Sequence, residues 1–312
     1  MELAVPALVG PHDRLVVTVT GEERTTYLDD VLSQRLRGIE PPLATSALEL
    51  GPHGEPNGVL DLAVLEDRVV LLVPSALDEV ADRLAGRTFL ADASFAREED
   101  LAVVRVRGAA DEVLATLDVA AGHGAVTEDT TTLPDTEVLW LRWEHGADAV
   151  VPAEAADELT LAVAAAGAEV ADHDALDAAE VVAGVPRAPE EIAKGRLPEE
   201  LGLLPTHVHL AKGCYPGQEA VARMWMLGRP RRHLALVTLP EGTGRGHVTD
   251  DTGAVEVTRT ATVDGRTVGL AFVGRDTSVG DQPHEGVEVL RLVGAGRPVP
   301  GHDPAVKRRR DR

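Results

Sequence analysis

Lys212-Gly213-Cys214-Tyr215-Pro216-Gly217-Gln218-Glu219 is the stretch on which the reading of this 312-residue chain turns, and it holds the chain's only cysteine. A thiol reacts as its thiolate, and a nearby cation favours that form. Lys212 therefore stands where a reactive Cys214 needs it, with Gln218 and Glu219 available as hydrogen-bonding partners. Gly213 and Gly217 carry no Cβ, so the backbone can turn tightly there or come close to a ligand. The plainer reading is a small buried hydrophobe in a Gly/Pro turn. On these eight residues alone both readings stand.

Outward from the octapeptide the flanks are ordered. Leu197-Pro198-Glu199-Glu200-Leu201-Gly202-Leu203 precedes it; Val221-Ala222-Arg223-Met224 and Gly228-Arg229-Pro230-Arg231-Arg232-His233-Leu234 follow. Arg223, Arg229, Arg231 and Arg232 form a basic cluster in an acidic chain. Guanidinium forks bind carboxylates in pairs, so the cluster suits either a ligand's carboxylate tail or ion pairs with the abundant Asp and Glu. Trp225 suits a core position or stacking on a flat ligand ring.

With these flanks, Lys-Gly-Cys-Tyr-x-Gly-Gln-Glu resembles the signature of the YgfZ family, folate-binding proteins of iron–sulfur cluster assembly and repair. That family is related to the T-protein, the aminomethyltransferase of glycine cleavage. The resemblance spans about residues 184–239. It implies an α+β fold: duplicated T-protein-like α+β subdomains over residues 1–229 (divided near residue 100), a small C-terminal β-barrel over 230–300, and a disordered basic tail over 301–312. It implies that Cys214, with Lys212 and Glu219, forms the reactive thiol site. Gly213, Tyr215, Gly217, Gln218, Arg223, Trp225 and Asp61 are the residues expected toward tetrahydrofolate. The implied partners are a folate-type small molecule and iron–sulfur client proteins, with tRNA modification reached only through such clients. Two other functions stay open: a tetrahydrofolate-dependent aminomethyltransferase, and a binding module that has kept the fold without catalysis.

The chain departs from its relatives at two places. The T-protein carries an Asp-Asp pair where this sequence reads Gly58-Val59-Leu60-Asp61-Leu62, so one carboxylate remains. Folate-binding members carry Arg-hydrophobic-Glu-Ala-Gly, whose glutamate bonds the pterin; here Glu180-Val181-Val182-Ala183-Gly184 puts Val182 at the glutamate position and Glu180 at the arginine position. A valine accepts no N–H bond, and a buried ring edge left unpaired is costly.

Bulk properties bound the rest. Thirty basic against 52 acidic residues give a net charge of −22, which repels phosphate backbones and argues against direct nucleic-acid binding. A single cysteine excludes an internal disulfide and a self-contained multi-thiolate metal site, so no stable metal is expected, and it fits a reducing cytoplasm. No apolar run is long enough for a membrane span, and the N-terminal residues lack a signal-peptide pattern. His207 and His209 alternate in a way that could join a metal site, but no further ligands stand at suitable spacing.

Periodicity supplies the elements. Residues 15–20 read as a strand ending at Gly21, followed by helical spacing over 22–36. Residues 101–106, Gly108 and 111–117 repeat that grammar, suggesting a duplicated unit. Residues 59–65 and 68–73 form a hairpin, and Pro74 opens a helix through Leu84. Residues 153–166 and 172–183 are helical, whereas the octapeptide falls in a loop. Beyond Pro230 come short strands at 234–239, 254–258, 266–273 and 287–293, with Asp264-Gly265 as a hairpin turn.

Overall fold

Val69–Pro74 is apolar at nearly every position, the pattern of a strand covered on both faces. The computed structural model, which describes residues 3–193, 195–228, 230–250 and 253–303, places it inside a five-stranded antiparallel sheet. The order is Leu43–Leu50, Pro56–Val64, Val69–Pro74, Arg14–Thr20, Ser94–Arg97. A second sheet runs Val126–Asp129, Val138–Trp143, Gly146–Pro152, Leu101–Arg107, Leu8–His12, Glu169–Val170, antiparallel except for its last pair.

The two sheets repeat one plan, in agreement with the duplicated α+β expectation. In each, a strand ends at a glycine, a helix follows (Arg24–Val31; Asp111–Thr116), and a three-strand meander returns beside the first strand. Gly21 and Gly108 hold φ of 105° and 86°. A Cβ there would lie 2.2 Å from the carbonyl oxygen of Asp92 and 1.9 Å from that of Pro6, so only glycine fits. Each meander ends at a proline, Pro74 or Pro152, then a 3₁₀ turn and a helix, Glu79–Ala85 or Ala156–Ala165. The helix expected over 22–36 stops at Val31. Leu32 is extended, and the Asp29 carboxylate takes the backbone N–H groups of Leu36 and Arg37 in place of further helical bonds.

The sheets pack face to face through Val16, Ala63 and Leu72 on one side and Val103, Leu139 and Leu141 on the other. Their outer faces are covered by the helices: Leu28 and Leu84 over the first sheet, Leu114 and Leu159 over the second. The result is a helix–sheet–sheet–helix stack.

Residues beyond 230 form a third antiparallel sheet, ordered Gly246–Asp250, Gly253–Val263, Arg266–Gly274, Arg232–Thr238, Val289–Leu292. The Asp264-Gly265 turn joins its long strands, both residues at positive φ as a type I′ turn requires. The expected barrel is not found. Among the described residues the two edge strands do not pair, and the sheet lays Leu234, Leu236, Leu270 and Phe272 against Val181, Val221 and Trp225 instead of closing on itself. Most of the basic tail, from residue 304, lies outside the described residues. No helix among them is long and apolar enough to cross a membrane.

A buried ionic cluster sits in the stack. Arg105 is buried and donates Nε and Nη2 to the two Asp148 oxygens at 2.7 and 2.9 Å and Nη1 to Glu180 at 2.5 Å. Burial pushes both carboxyls up, but Arg105 and Arg107 outweigh it and hold them below their ordinary ranges. Replacing Asp148 by Ala strands a buried guanidinium, a loss of about 3–5 kcal/mol. Equilibrium urea unfolding checks this; a loss under about 1 kcal/mol contradicts the assignment.

Candidate functional site

The octapeptide is a loop followed by a helix, so the expectation of a loop holds for its first six residues only. Lys212 to Gly217 precede the helix Gln218–Leu227, which carries Glu219, Arg223 and Trp225. The loop is pinned at three points. Lys212 Nζ is buried and donates to the carbonyl oxygens of Asp29, Leu32 (2.7 Å) and Gln34 (2.9 Å), with the Asp29 carboxylate at 3.7 Å. These carbonyls lie at and beyond the C-terminus of the Arg24–Val31 helix, where acceptors lack intrahelical donors and the dipole favours a cation. Burial pulls the Lys212 ammonium down to about 8, against the attraction of Asp29 and Asp30. Tyr215 is buried in the core, its ring 5.1 Å from Lys212 Nζ, and burial pushes its hydroxyl up to about 12. Gly217 sits at φ 79°, and a Cβ would meet the Gly51 carbonyl oxygen at 2.6 Å and Leu50 Cβ at 2.8 Å.

Cys214 is exposed and unbridged, which removes the buried-hydrophobe reading. Lys212 has another task than the one expected of it: its ammonium faces helix-end carbonyls. Glu219 and Arg223 are surface residues paired with each other at 2.7 Å. Gly213 has nothing within 4 Å of a Cβ position. Trp225 is buried and edge-on to the His302 ring at 5.2 Å. In the arginine cluster, Arg232 pairs with Glu256 and Glu200, and Arg229 lies outside the described residues.

A second feature is a cavity of about 260 Å³ at one end of the interface between the first two sheets. The Pro56–Val64 strand brings Asp61 into its wall. There Asp61 accepts from Arg14 Nη1 at 2.6 Å and Ser46 Oγ at 2.5 Å, one bond on each oxygen. Arg14 Nε is buried with no partner among the described residues, leaving a donor in the wall. Opposite stand Arg107, Glu180 and Trp143, whose indole N–H donates to Asp148 at 2.9 Å. His123, His145 and His207 complete the polar lining, and burial lowers all three. His207 falls to about 4 and is therefore neutral at pH 7, with Nδ1 2.7 Å from Thr206 Oγ1. Val59, Ala183 and Leu203 supply apolar surface, and Arg291 of the third sheet and Arg297 from the segment after it close the rim.

Of the residues expected toward a cofactor, only Asp61 lies in this wall. Gly213, Tyr215, Gly217, Gln218, Arg223 and Trp225 do not. Residues 180 and 182 of the His173–Ala183 helix point about 160° apart, since each residue turns the helix by about 100°. Glu180 accordingly lines the cavity while Val182 lines a separate groove of about 660 Å³, and the carboxylate is held by Arg105 and Arg107. The residues that sequence reasoning missed are Arg14, Ser46, Arg107, His145, Arg291 and Arg297 in the wall. They come from separate elements, and only the alternation of Arg105 and Arg107 with valines hinted at a polar inner face. His123, between Gly122 and Gly124, also faces the cavity. Among the described residues no cluster of His, Cys, Asp and Glu is set to hold a metal.

No protein-family model matches the chain. Among solved structures, the glycine cleavage system aminomethyltransferase T from Bartonella henselae aligns over 95% of this chain and 88% of its own, with 16% identity and a TM-score of 0.74. The chain therefore has the aminomethyltransferase T fold, and that identity establishes the fold alone. A chain of the heterotetrameric sarcosine oxidase from Corynebacterium sp. U-96 aligns over 55% of this chain and 91% of its own at 16% identity, with a TM-score of 0.36, too low to carry an argument.

Two outcomes follow from this geometry. Lys212→Met leaves helix-end carbonyls without their donor and costs about 2–3 kcal/mol in urea unfolding, whereas a neutral result would remove the clamp. His207 has a folded pKa below its unfolded value, so the native state binds fewer protons and stability falls as pH drops from about 6.5 toward 4. His207→Gln should remove about 1–2 kcal/mol of the stability difference between pH 7 and pH 5; an unchanged pH dependence would refute the assignment.

Proposed function

We propose that this protein is a YgfZ-like accessory factor: its cavity takes a folate-type ligand, and Cys214 acts on iron–sulfur clusters carried by client proteins. The observation that carries the reading is the placement of Cys214. The thiol is exposed, lies outside the cavity wall, and stands on a loop fixed by Lys212, Tyr215 and Gly217. A pinned, outward thiol suits a macromolecular partner better than a small molecule enclosed in the cavity. With one cysteine in the chain, any cluster it touches takes its other ligands from that partner.

The cavity residues fit a flat, polar heterocycle of pterin size. Arg14 Nε offers an unused donor, neutral His207 a donor or acceptor according to tautomer, and Trp143, Val59 and Leu203 offer flat and apolar surface. A bound folate would supply one-carbon chemistry. The chain's own contribution is to orient the ring and exclude water, and Val182 contributes no acceptor.

A second reading, folate-dependent aminomethyl transfer, draws on the fold and on Asp61 in the cavity wall. Against it, both Asp61 oxygens are occupied by Arg14 and Ser46. Tetrahydrofolate-dependent turnover of an aminomethylated lipoyl carrier would establish it.

Cells lacking the native protein and expressing Cys214→Ala should lose iron–sulfur enzyme activities that the unaltered chain restores; full rescue sinks the thiol role. In calorimetric titration, tetrahydrofolate should bind Cys214→Ala within about twofold of the unaltered protein, since thiol and cavity are separate. A tenfold loss would join the two sites, and no binding by either protein would remove the folate role.

A further inference from the structure

The first sheet ends at an open edge. Among the described residues Ser94–Arg97 pairs only with Arg14–Thr20, antiparallel, with Thr18 opposite Ala96 and Thr20 opposite Ser94. Glu98 N donates to the Val16 carbonyl at 2.9 Å, which fixes the phase of this ladder. Bonded and non-bonded pairs alternate between antiparallel strands, so Ser94 and Ala96 bond inward while Phe95 and Arg97 turn their N–H and C=O groups outward. Sheet edges are commonly guarded by a charged side chain, a proline or a bulge. This strand contains no proline, and its one charge is directed elsewhere: Arg97 reaches the Asp82 carboxylate at 2.7 Å. The Phe95 ring stands edge-on to Tyr27 at 6.0 Å, and Ser94 and Ala96 are small and exposed.

Beside that edge stand the two most exposed large apolar side chains among the described residues, Phe89 at 83% and Leu90 at 87%. They are the central pair of a turn closed by Ala91 N on the Thr88 carbonyl at 2.8 Å, two residues before the strand begins. The base of the turn is fastened. Asp92 N donates to Glu23 Oε2 at 2.8 Å, and Glu23 N donates to the Asp92 carbonyl at 2.9 Å. Small polar residues suit the tip of a turn, and two large apolar ones held there in water mark an interaction surface. At the far end of the strand Glu98, Glu99 and Asp100 follow in succession.

We propose that Ser94–Arg97 receives an extended segment of another protein as a sixth strand of the first sheet. Phe95 and Arg97 bond the main chain of that segment, its apolar side chains cover Phe89 and Leu90, and cationic residues at its other end face Glu98 to Asp100. Charge decides against a second copy of this chain as the occupant. The register that bonds both outward residues, with Phe95 opposite Arg97, would set Asp92 against Asp100, and like charges directly opposite destabilise a strand pair. The inference stands apart from the cavity and from Cys214, since neither shares a residue with this edge.

Two peptides that differ only in charge test this edge. The probes are acetyl-KRTVTVIL-amide, written to run antiparallel to the strand, and acetyl-EETVTVIL-amide, each titrated calorimetrically into the full chain. The basic peptide should bind and the acidic one should bind at least about tenfold more weakly. In the free protein the Phe95 and Arg97 amides should exchange hydrogen at least about tenfold faster than the Ala96 amide, and saturating basic peptide should slow both. Arg97→Pro removes an outward N–H that the internal ladder does not use, whereas Arg97→Ala deletes the same ion pair with Asp82 and keeps the N–H. The proline variant should bind about tenfold more weakly than the alanine variant. Phe89→Ser combined with Leu90→Ser should also weaken binding, and thermal melts confirm that all variants fold. Slow exchange of Phe95 and Arg97 in the free chain, no binding of the basic peptide at about 1 mM, equal binding of the two peptides, or equal affinity of the proline and alanine variants overturns the inference. A dimer in sedimentation that Arg97→Pro disrupts would put a second copy on the edge and overturn the choice of partner.

Discussion

The hydrogen-bonded contact of Arg105 with Asp148 and Glu180 is the constraint around which this molecule is arranged. A guanidinium removed from water is tolerated only with its donors matched in direction and number, so the strand carrying Asp148 and the helix carrying Glu180 are held to Arg105 within hydrogen-bond distance. Fixing that helix fixes its end, where Ala183 and Gly184 meet the cavity and the third sheet approaches. The cavity floor is thus a by-product of neutralising one buried cation. Nearby His12 feels the same charges: burial first, then Arg105 and Arg14, hold it well below the ordinary histidine range and therefore neutral.

Thiol and cavity are built by different physics. The cavity is polar because two sheets that pack through Val, Leu and Ala leave a rim where the inward side chains are Arg14, Asp61 and Arg107. The thiol loop is placed by lysine capping, by a tyrosine in the core and by a glycine against a neighbouring carbonyl. Neither arrangement shares a side chain with the other, so each can change without dismantling its neighbour.

Much of the architecture was legible because local pattern and final environment agree. Leu15 to Thr20 and Leu101 to Val106 are strand-forming runs soon ended by glycine, and both repeats place Val-Pro before a helix. Leu8–His12 was not, since Pro6 and Pro11 disguise it. It is a strand because Pro11 lies beyond the register of Glu169–Val170, where no N–H is required of it. Strands as short as Ser94–Arg97 carry too little periodicity to read. The barrel expectation failed for a related reason: alternation shows that a strand has a buried face, and says nothing of what buries it. For the site, Asp61 was readable from its motif, whereas the place of Arg291 in the cavity wall depends on the third sheet packing beside it, which no local pattern encodes. Lys212 was read by sequence proximity to Cys214, while its nearest partners lie about 180 residues earlier.

That separation has a consequence for assembly. Closing a contact across 183 residues costs loop entropy that no local interaction returns, and the acceptors exist in the required array only after the Arg24–Val31 helix has formed and ended. The octapeptide can therefore lock only against an N-terminal half that is already folded. During synthesis the first sheet leaves the ribosome well before Cys214, so the chain orders the Cys214 loop only after the N-terminal scaffold that holds it is in place.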